Sequence, residues 1–209
     1  MKKLVCLIVA MILCLSCVAL ASAAPSKATS DMTSTTTTTQ SETVTKPIDT
    51  TGFVLFLVTD DMVEYQDRID IAKAEIEKLN AAQPIEAYFG EPVDEEGNTV
   101  DLKAKLGAEA VNVFEFYPVV ASGYSEEFGD VTAKLLFSTP YEKDLAVAVM
   151  VGFVTVNEDG TQTVAWHALN GVGVESDAVE AQGAIEVVFD SKTVLAIQEG
   201  IALLAVVSK

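Results

Sequence analysis

The sequence predicts an α+β fold that is mainly an antiparallel β-sandwich, immunoglobulin-like or jelly-roll-like, with one N-terminal amphipathic helix. Two observations support this prediction. Apolar residues recur at helical spacing early in the region expected to fold, and the rest of that region consists of short segments rich in β-branched and aromatic residues. Short strands in series, separated by turn residues, are typical of two packed antiparallel sheets.

The N-terminus has the pattern of a secretory signal peptide. Lys2 and Lys3 precede an apolar run over residues 4–20, and small residues follow at 21–23. We therefore expect a signal peptide over residues 1–23 and a secreted, extracellular or cell-surface location. A retained membrane anchor is the alternative, because the apolar run reaches the lower length limit for spanning a bilayer.

All three cysteines, Cys6, Cys14 and Cys17, lie in this predicted signal, so the region expected to fold contains no disulfide and no thiolate. Cys17 is also a candidate for an N-terminal lipid anchor, although a lipobox prefers leucine where Cys14 stands. Two starting points for the mature chain stay open, a lipidated Cys17 or cleavage after Ala23.

Residues 24–51 form a threonine-rich segment with almost no large apolar side chains. Such a composition buries too little surface to offset the entropy of ordering, so a disordered linker is expected. It is either an O-glycosylated stalk or an unmodified leader. The folded α+β domain is then expected over residues 52–209, as one unit or with a sub-boundary near residue 107.

The first elements of that domain are a strand and a helix. The apolar run at residues 53–58 has strand length, and Asp61 with Glu64 has the spacing of a capping box. A helix is predicted after them, ending near Asn80, with a further short helical turn at residues 84–89. Its apolar face is formed by Tyr65, Ile69, Ala72, Ile76 and Leu79.

The remaining segments predict strands. They contain many β-branched and aromatic residues and are bounded by Gly, Pro, Asn, Asp or Ser. Asn157 to Gly160 is a good hairpin turn between two of them. The predicted strands are 111–121, 130–138, 145–156, 162–169, 184–189 and 201–207.

The charge of the chain limits its partners. The net charge is −18, and Arg68 is the only arginine. Nucleic acids and anionic lipid surfaces are therefore not expected partners, and no membrane contact is expected beyond an N-terminal lipid anchor. A protein or a glycan at the cell exterior is the expected partner.

Most catalytic and metal chemistries lack their residues here. His167 is the single histidine and follows Trp166 in a predicted strand, so the two side chains should point to opposite faces of a sheet. A zinc site has too few ligands, and the acidic loops at 94–98 and 157–159 lack EF-hand spacing. We expect no cofactor and no metal.

Carboxylates are the remaining reactive groups, and Glu115 is the most interesting of them. It interrupts an apolar strand, so burial would raise its pKa, and Glu126, Glu127 and Asp130 follow in a nearby loop. Paired carboxylates are the requirement of a glycan hydrolase, which is the alternative function. In the simpler interpretation Glu115 points outward and the loop acids are solvated.

A binding function requires less of the sequence. We expect a secreted or surface-displayed non-enzymatic protein that acts through protein or glycan contacts; a structural component of the cell envelope is a further alternative. Exposed aromatic rings are common in such binding surfaces. The candidate ligand-binding residues are Tyr117, Tyr124, Phe128, Tyr141 and Trp166.

Several short strings carry a family resemblance. They are residues 113–116 (Val-Phe-Glu-Phe), 129–131 (Gly-Asp-Val), 139–141 (Thr-Pro-Tyr), 164–166 (Val-Ala-Trp), 197–198 (Ile-Gln) and 202–204 (Ala-Leu-Leu). Together they resemble uncharacterised secreted or cell-surface proteins of clostridia-like Gram-positive bacteria, over about residues 50–209. The resemblance implies a C-terminal β-sandwich without an assigned activity, and it carries over no catalytic residue.

Overall fold

In a computed structural model, the chain is described over residues 53–176 and 182–209, together with the backbone of residues 37–40. The predicted signal peptide, Cys17 and the threonine-rich segment other than 37–40 lie outside the described residues. Among the described residues, no helix combines the length and the apolar character needed to cross a membrane.

The strands form one continuous antiparallel sheet. In the described part of the chain it has eight strands in the order β1-β4-β7-β6-β5-β8-β3-β2. The predicted α+β class with a mainly antiparallel sheet is confirmed, but two separate packed sheets are not observed, because β8 pairs with both β5 and β3 and keeps the strands in one sheet. The strands are β1 (Thr37–Gln40), β2 (Val54–Leu57), β3 (Asn112–Ser122), β4 (Val131–Phe137), β5 (Ala146–Val156), β6 (Gln162–Val174), β7 (Gly183–Phe189) and β8 (Ile201–Ser208).

The sheet curls so that its two halves face each other. β3 and β4 lie five places apart in the strand order, yet only residues 123–130 connect them. The rings of Tyr117 on β3 and Phe137 on β4 stack with centroids 6.4 Å apart. The concave face therefore encloses the larger core. Residues from seven strands meet there, among them Leu55, Val119, Leu135, Val149, Leu169, Val187 and Leu204.

Helices cover both faces of the sheet. On the convex face, α1 (Gln66–Ala81), α2 (Glu86–Phe89) and α3 (Leu102–Leu106) contribute to a second core. On the concave face, α4 (Ser191–Glu199) buries Val194 and Ile197 in the larger core. The second core includes Ala72, Leu79, Phe89, Leu102, Phe116, Met150, Trp166 and Leu203.

The helix boundaries differ from the sequence prediction in two respects. α1 begins at Gln66 after a 3-10 turn, and Asp61 accepts a hydrogen bond from Thr59 Oγ1, so the capping box at Asp61 is wrong. α3 and α4 are additional helices. Each is capped by an aspartate that accepts backbone N–H bonds, Asp101 for α3 and Asp190 for α4.

The connection between β3 and β4 is fixed to α4 by one side chain. Gln198 Oε1 accepts the backbone N–H of Tyr124 at 2.7 Å, and Gln198 Nε2 donates to the Tyr124 carbonyl at 3.3 Å. The Tyr124 hydroxyl donates to the Gly129 carbonyl at 2.6 Å. Gln198 thus pairs with the backbone as a neighbouring strand would, and it holds the connection over the end of the concave core.

We expect the change Gln198→Ala to lower the free energy of unfolding by about 1–3 kcal/mol, because both backbone groups of Tyr124 lose a half-buried partner. Urea denaturation measures this difference. Gln182→Ala is the matched control, since the Gln182 side chain is exposed, and it should change the free energy by less than about 0.5 kcal/mol. Equal effects of the two changes would contradict the role of Gln198.

Candidate functional site

A β-bulge in β3 turns Glu115 towards the concave core. Val113 lies opposite Val207, whereas Glu115 lies opposite Val206, so Phe114 is an extra residue without an opposite partner. An uninterrupted strand would place residues 113 and 115 on the same face. The bulge instead leaves Val113 on the convex face and directs Glu115 to the concave face.

Glu115 is buried among hydroxyl groups. It is 2 % exposed, and the Tyr117 hydroxyl donates to Glu115 Oε2 at 3.0 Å. The hydroxyls of Thr139 and Tyr141 also face this carboxyl. Glu115 Oε1 and Tyr141 Oη nevertheless have no hydrogen bond of good geometry in the described structure. We call Glu115, Tyr117, Thr139 and Tyr141 the Glu115 cluster.

The surroundings of Glu115 favour its neutral form. Burial raises the pKa of the Glu115 carboxyl, and the hydroxyls of Thr139, Tyr117 and Tyr141 offset part of that increase. Burial, followed by the nearby Glu115 carboxyl, also raises the pKa of Tyr117 and Tyr141. Glu115 therefore points inward with a raised pKa, and the alternative in which it faces solvent is wrong.

The acids predicted near Glu115 lie at the other end of β3. Glu126, Glu127 and Asp130 are exposed, and all three follow Ser122, the last residue of that strand. Residues 115 and 122 are about 23 Å apart at roughly 3.3 Å per strand residue. Glycosidase carboxyl pairs lie about 5–10 Å apart, so these acids do not pair with Glu115.

The five candidate aromatic residues do not form one exposed surface. Tyr117, Tyr124 and Trp166 are buried, and Phe128 and Tyr141 are partly buried. Tyr124 and Phe128 contact each other with centroids 5.8 Å apart, whereas Tyr117 and Tyr141 belong to the Glu115 cluster. Trp166 lies on the convex face against α2. The curl of the sheet brings Tyr117 against Phe137 and buries it, whereas Trp166 is covered by Phe89 of α2.

Trp166 and His167 point to opposite faces of the sheet, as the strand alternation predicts. The Trp166 ring packs against Phe89 in the second core, with centroids 5.1 Å apart. The His167 ring contacts Phe153 of β5 on the other face of the sheet, with centroids 5.2 Å apart. The two rings therefore do not share a site.

The acidic loops form turns through their own carboxylates. Asp94 Oδ1 accepts the N–H of Asn98 at 2.8 Å, and this bond, followed by others in the loop, lowers the pKa of Asp94. Asp159 accepts from the Thr161 hydroxyl and N–H, which lowers its pKa in the same way. Asn157 to Gly160 does join β5 to β6. The described residues contain no group of three or more His, Cys, Asp or Glu arranged to hold a metal ion.

A cleft lies where β2 stops pairing with β3. The last bond between them runs from Val58 N to Pro118 O at 2.8 Å, and β3 before Pro118 pairs only with β8 in the described chain. α1 lies beside this uncovered edge. The space between them, which we call the helix–strand cleft, has a volume of about 430 Å³. It is lined by Val58, Thr59, Asp60, Ile69, Ala72, Lys73, Ile76, Glu77, Phe116, Tyr117 and Pro118.

The cleft has apolar walls and a charged rim. Ile69 and Ala72 of α1 and Phe116 of β3 are buried around it. At the rim, Lys73 Nζ lies 3.2 Å from Asp60 Oδ1, and both side chains are largely exposed. No sequence pattern marks this cleft, because it arises from the point at which β2 leaves the sheet. The helical spacing of apolar residues in α1 indicates only which of its residues face inward.

Comparison of the chain with protein-family models, with curated proteins and with solved structures finds no match.

We expect the free energy of unfolding to fall as the pH rises through the folded-state pKa of Glu115. The folded carboxyl keeps its proton at a pH where the unfolded one has lost it, so its contribution is complete below about pH 4.3 and is lost at higher pH. Glu115→Gln should remove this loss, and the variant should be more stable than the native chain at pH 7, by about 1.4 kcal/mol per unit of pKa shift.

Urea denaturation at a series of pH values measures this effect. Glu186→Gln on β7 is the control, since Glu186 is exposed and lies outside the Glu115 cluster. A Glu115→Gln variant with the native pH profile would show that Glu115 titrates equally in the folded and unfolded chains.

Proposed function

We propose that this is a secreted or surface-displayed, non-enzymatic protein that binds another macromolecule through the helix–strand cleft. The helix–strand cleft is the observation that carries the proposal. It combines apolar walls around Ile69, Ala72 and Phe116 with charged groups at its rim. A concave, mainly apolar site with a few polar groups is the usual form of a binding site.

The chemistry of the helix–strand cleft favours a protein partner over a glycan. Sugars are typically held by exposed aromatic faces. Here Trp166 and Tyr124 are buried, and the two aromatic residues of the cleft lining, Phe116 and Tyr117, are 3 % and 5 % exposed. Aliphatic side chains of a polypeptide suit walls made by Val58, Ile69 and Ile76.

The surroundings of Glu115 support a non-enzymatic role. Burial raises the pKa of Glu115, and the three neutral hydroxyls of Thr139, Tyr117 and Tyr141 lower it. A second carboxyl is not among the groups that shift this pKa. A glycan hydrolase requires a second carboxyl across the scissile bond. Glu115 is also 2 % exposed, so its carboxyl lies in the concave core.

The protein's charge supports a basic partner. The net charge of −18 produces a negative field around the molecule. Several lysines are already paired with acids of the same chain, as Lys73 is with Asp60 and Lys78 is with Glu75. Association with a basic protein is therefore accelerated, and association with an anionic one is slowed.

We expect the full chain to bind a partner in an array of secreted and surface proteins, and the change Ile76→Lys to weaken that binding at least tenfold, because it introduces a charge into an apolar wall of the cleft. Val156→Lys is the matched control. Val156 is an aliphatic residue of β5, 53 % exposed and outside the cleft lining, so its variant should bind as the native chain does. Circular dichroism and urea denaturation establish that both variants fold.

Two further assays separate the alternative functions. In a screen of polysaccharide degradation, the full chain should release no product, and turnover that disappears in Glu115→Gln would instead support the hydrolase. In sedimentation, the full chain should remain monomeric. Self-association together with no signal from any partner would support a structural component of the envelope and contradict the proposed function.

A further inference from the structure

The edge of β3 beside α1 offers unpaired backbone groups. Because Val58 N donates to Pro118 O, the backbone groups of residue 118 point away from β8. Backbone direction alternates along a strand, so the N–H and C=O of Phe116 point to the same side. β2 does not extend that far, and neither group of Phe116 has a backbone partner there in the described chain.

At the other end of the sheet, β1 pairs with only part of β4. β1 pairs with β4 from Thr37↔Lys134 to Gln40↔Val131. On the β3 side, residues 112–117 have only β8 as a neighbouring strand in the described structure. Unpaired strand edges are templates for pairing with an additional chain. Other strands of the described structure also pair on one side only for part of their length, as β4 does at residues 135–137. The edge of β3 at Phe116 is the one that lines the helix–strand cleft, so it is the edge at which we expect a further strand to fit.

We propose that an extended basic peptide segment of another protein binds in the helix–strand cleft by adding to the edge of β3 as a short strand. This inference rests on the proposed function and specifies its partner. The peptide exchanges backbone hydrogen bonds with Phe116, places an apolar side chain between Ile69 and Ile76 of α1, and presents a lysine or arginine to the rim. A groove between a helix and a strand edge suits this mode of recognition, in which backbone bonds and alternate side chains both contribute.

Two features limit the length of the added strand. Pro118 has no N–H to donate, and the bulge at Phe114 interrupts the regular edge. The usable edge is therefore short and centred on Phe116. Side-chain contacts in the cleft must supply much of the affinity, so the sequence of the peptide determines whether it binds.

The rim selects a basic side chain. Lys73 is engaged by Asp60 at 3.2 Å, whereas Glu77, one turn further along α1, has no ion pair in the described structure. Asp60, Lys73 and Glu77 together leave one net negative charge at the rim. The net charge of the whole chain has the same sign. A cationic peptide side chain therefore meets favourable charge at the cleft and around it.

The experiment uses the full chain and a displayed library of random twelve-residue peptides. We expect enriched peptides to combine lysine or arginine with an apolar residue two positions away, because alternate residues of a strand point to the same side. We expect the Phe116 amide to exchange with solvent at least tenfold more slowly when an enriched peptide is bound, as measured by NMR. Glu77→Lys should weaken binding about fivefold or more, and Glu64→Lys, an exposed acid outside the cleft lining, should not.

The outcomes separate this inference from the proposed function. Enriched peptides that leave Phe116 exchange unchanged, or that bind Glu77→Lys as well as the native chain, overturn strand addition. Protection of Phe116 by self-association, without peptide, overturns it in favour of a second copy. If no peptide is enriched but Ile76→Lys still abolishes binding of an arrayed protein, strand addition fails and the proposed function stands. If neither peptides nor arrayed proteins bind, both fail.

Discussion

The connection at residues 123–130 is the constraint on which the rest of the structure depends. It joins β3 to β4, which lie five places apart in the sheet, and the sheet must curl for so short a connection to reach. Close glycine contacts help to complete the curl: a Cβ at Gly183 would lie 2.2 Å from the Thr139 carbonyl, so only glycine lets the segment after β4 pack against the start of β7. That contact holds Thr139 and Tyr141 against Glu115 on β3.

A single extra residue determines the character of the concave core. Because of the bulge at Phe114, Glu115 replaces what would otherwise be one more apolar side chain beside Val206. Burying a carboxylate is far more costly than burying its neutral form, and a raised pKa is the means by which a protein reduces that cost. Tyr117 provides one hydrogen bond, while Glu115 Oε1 and Tyr141 Oη lack well-formed ones. The Glu115 cluster is thus an incompletely satisfied polar site in an otherwise apolar interior.

Local patterns in the sequence predict the strands well and their arrangement poorly. The predicted strands at 145–156 and 201–207 match Ala146–Val156 and Ile201–Ser208 closely, because composition and turn residues are local signals. Whether strands form one sheet or two depends on long-range pairing such as that of β8 with β3, which leaves no mark on either strand alone. The orientation of Glu115 cannot be predicted from the sequence, because the alternation of side chains fails at the bulge. The cleft cannot be predicted either, because it depends on where β2 stops pairing with β3. α4 contains only nine residues, too few for a clear helical period.

The position of β8 in the sheet has a consequence for the order of events in folding. β8 lies between β5 and β3, and it joins residues 112–119 to residues 148–154 across the middle of the sheet. These pairings span much of the sequence, and such non-local contacts form slowly because a long loop must close first. A chain that emerges from its N-terminus, whether from a ribosome or through a membrane channel, cannot complete the sheet until residues 201–208 arrive. The topology therefore makes closure of the sheet a late event that waits for its C-terminal strand.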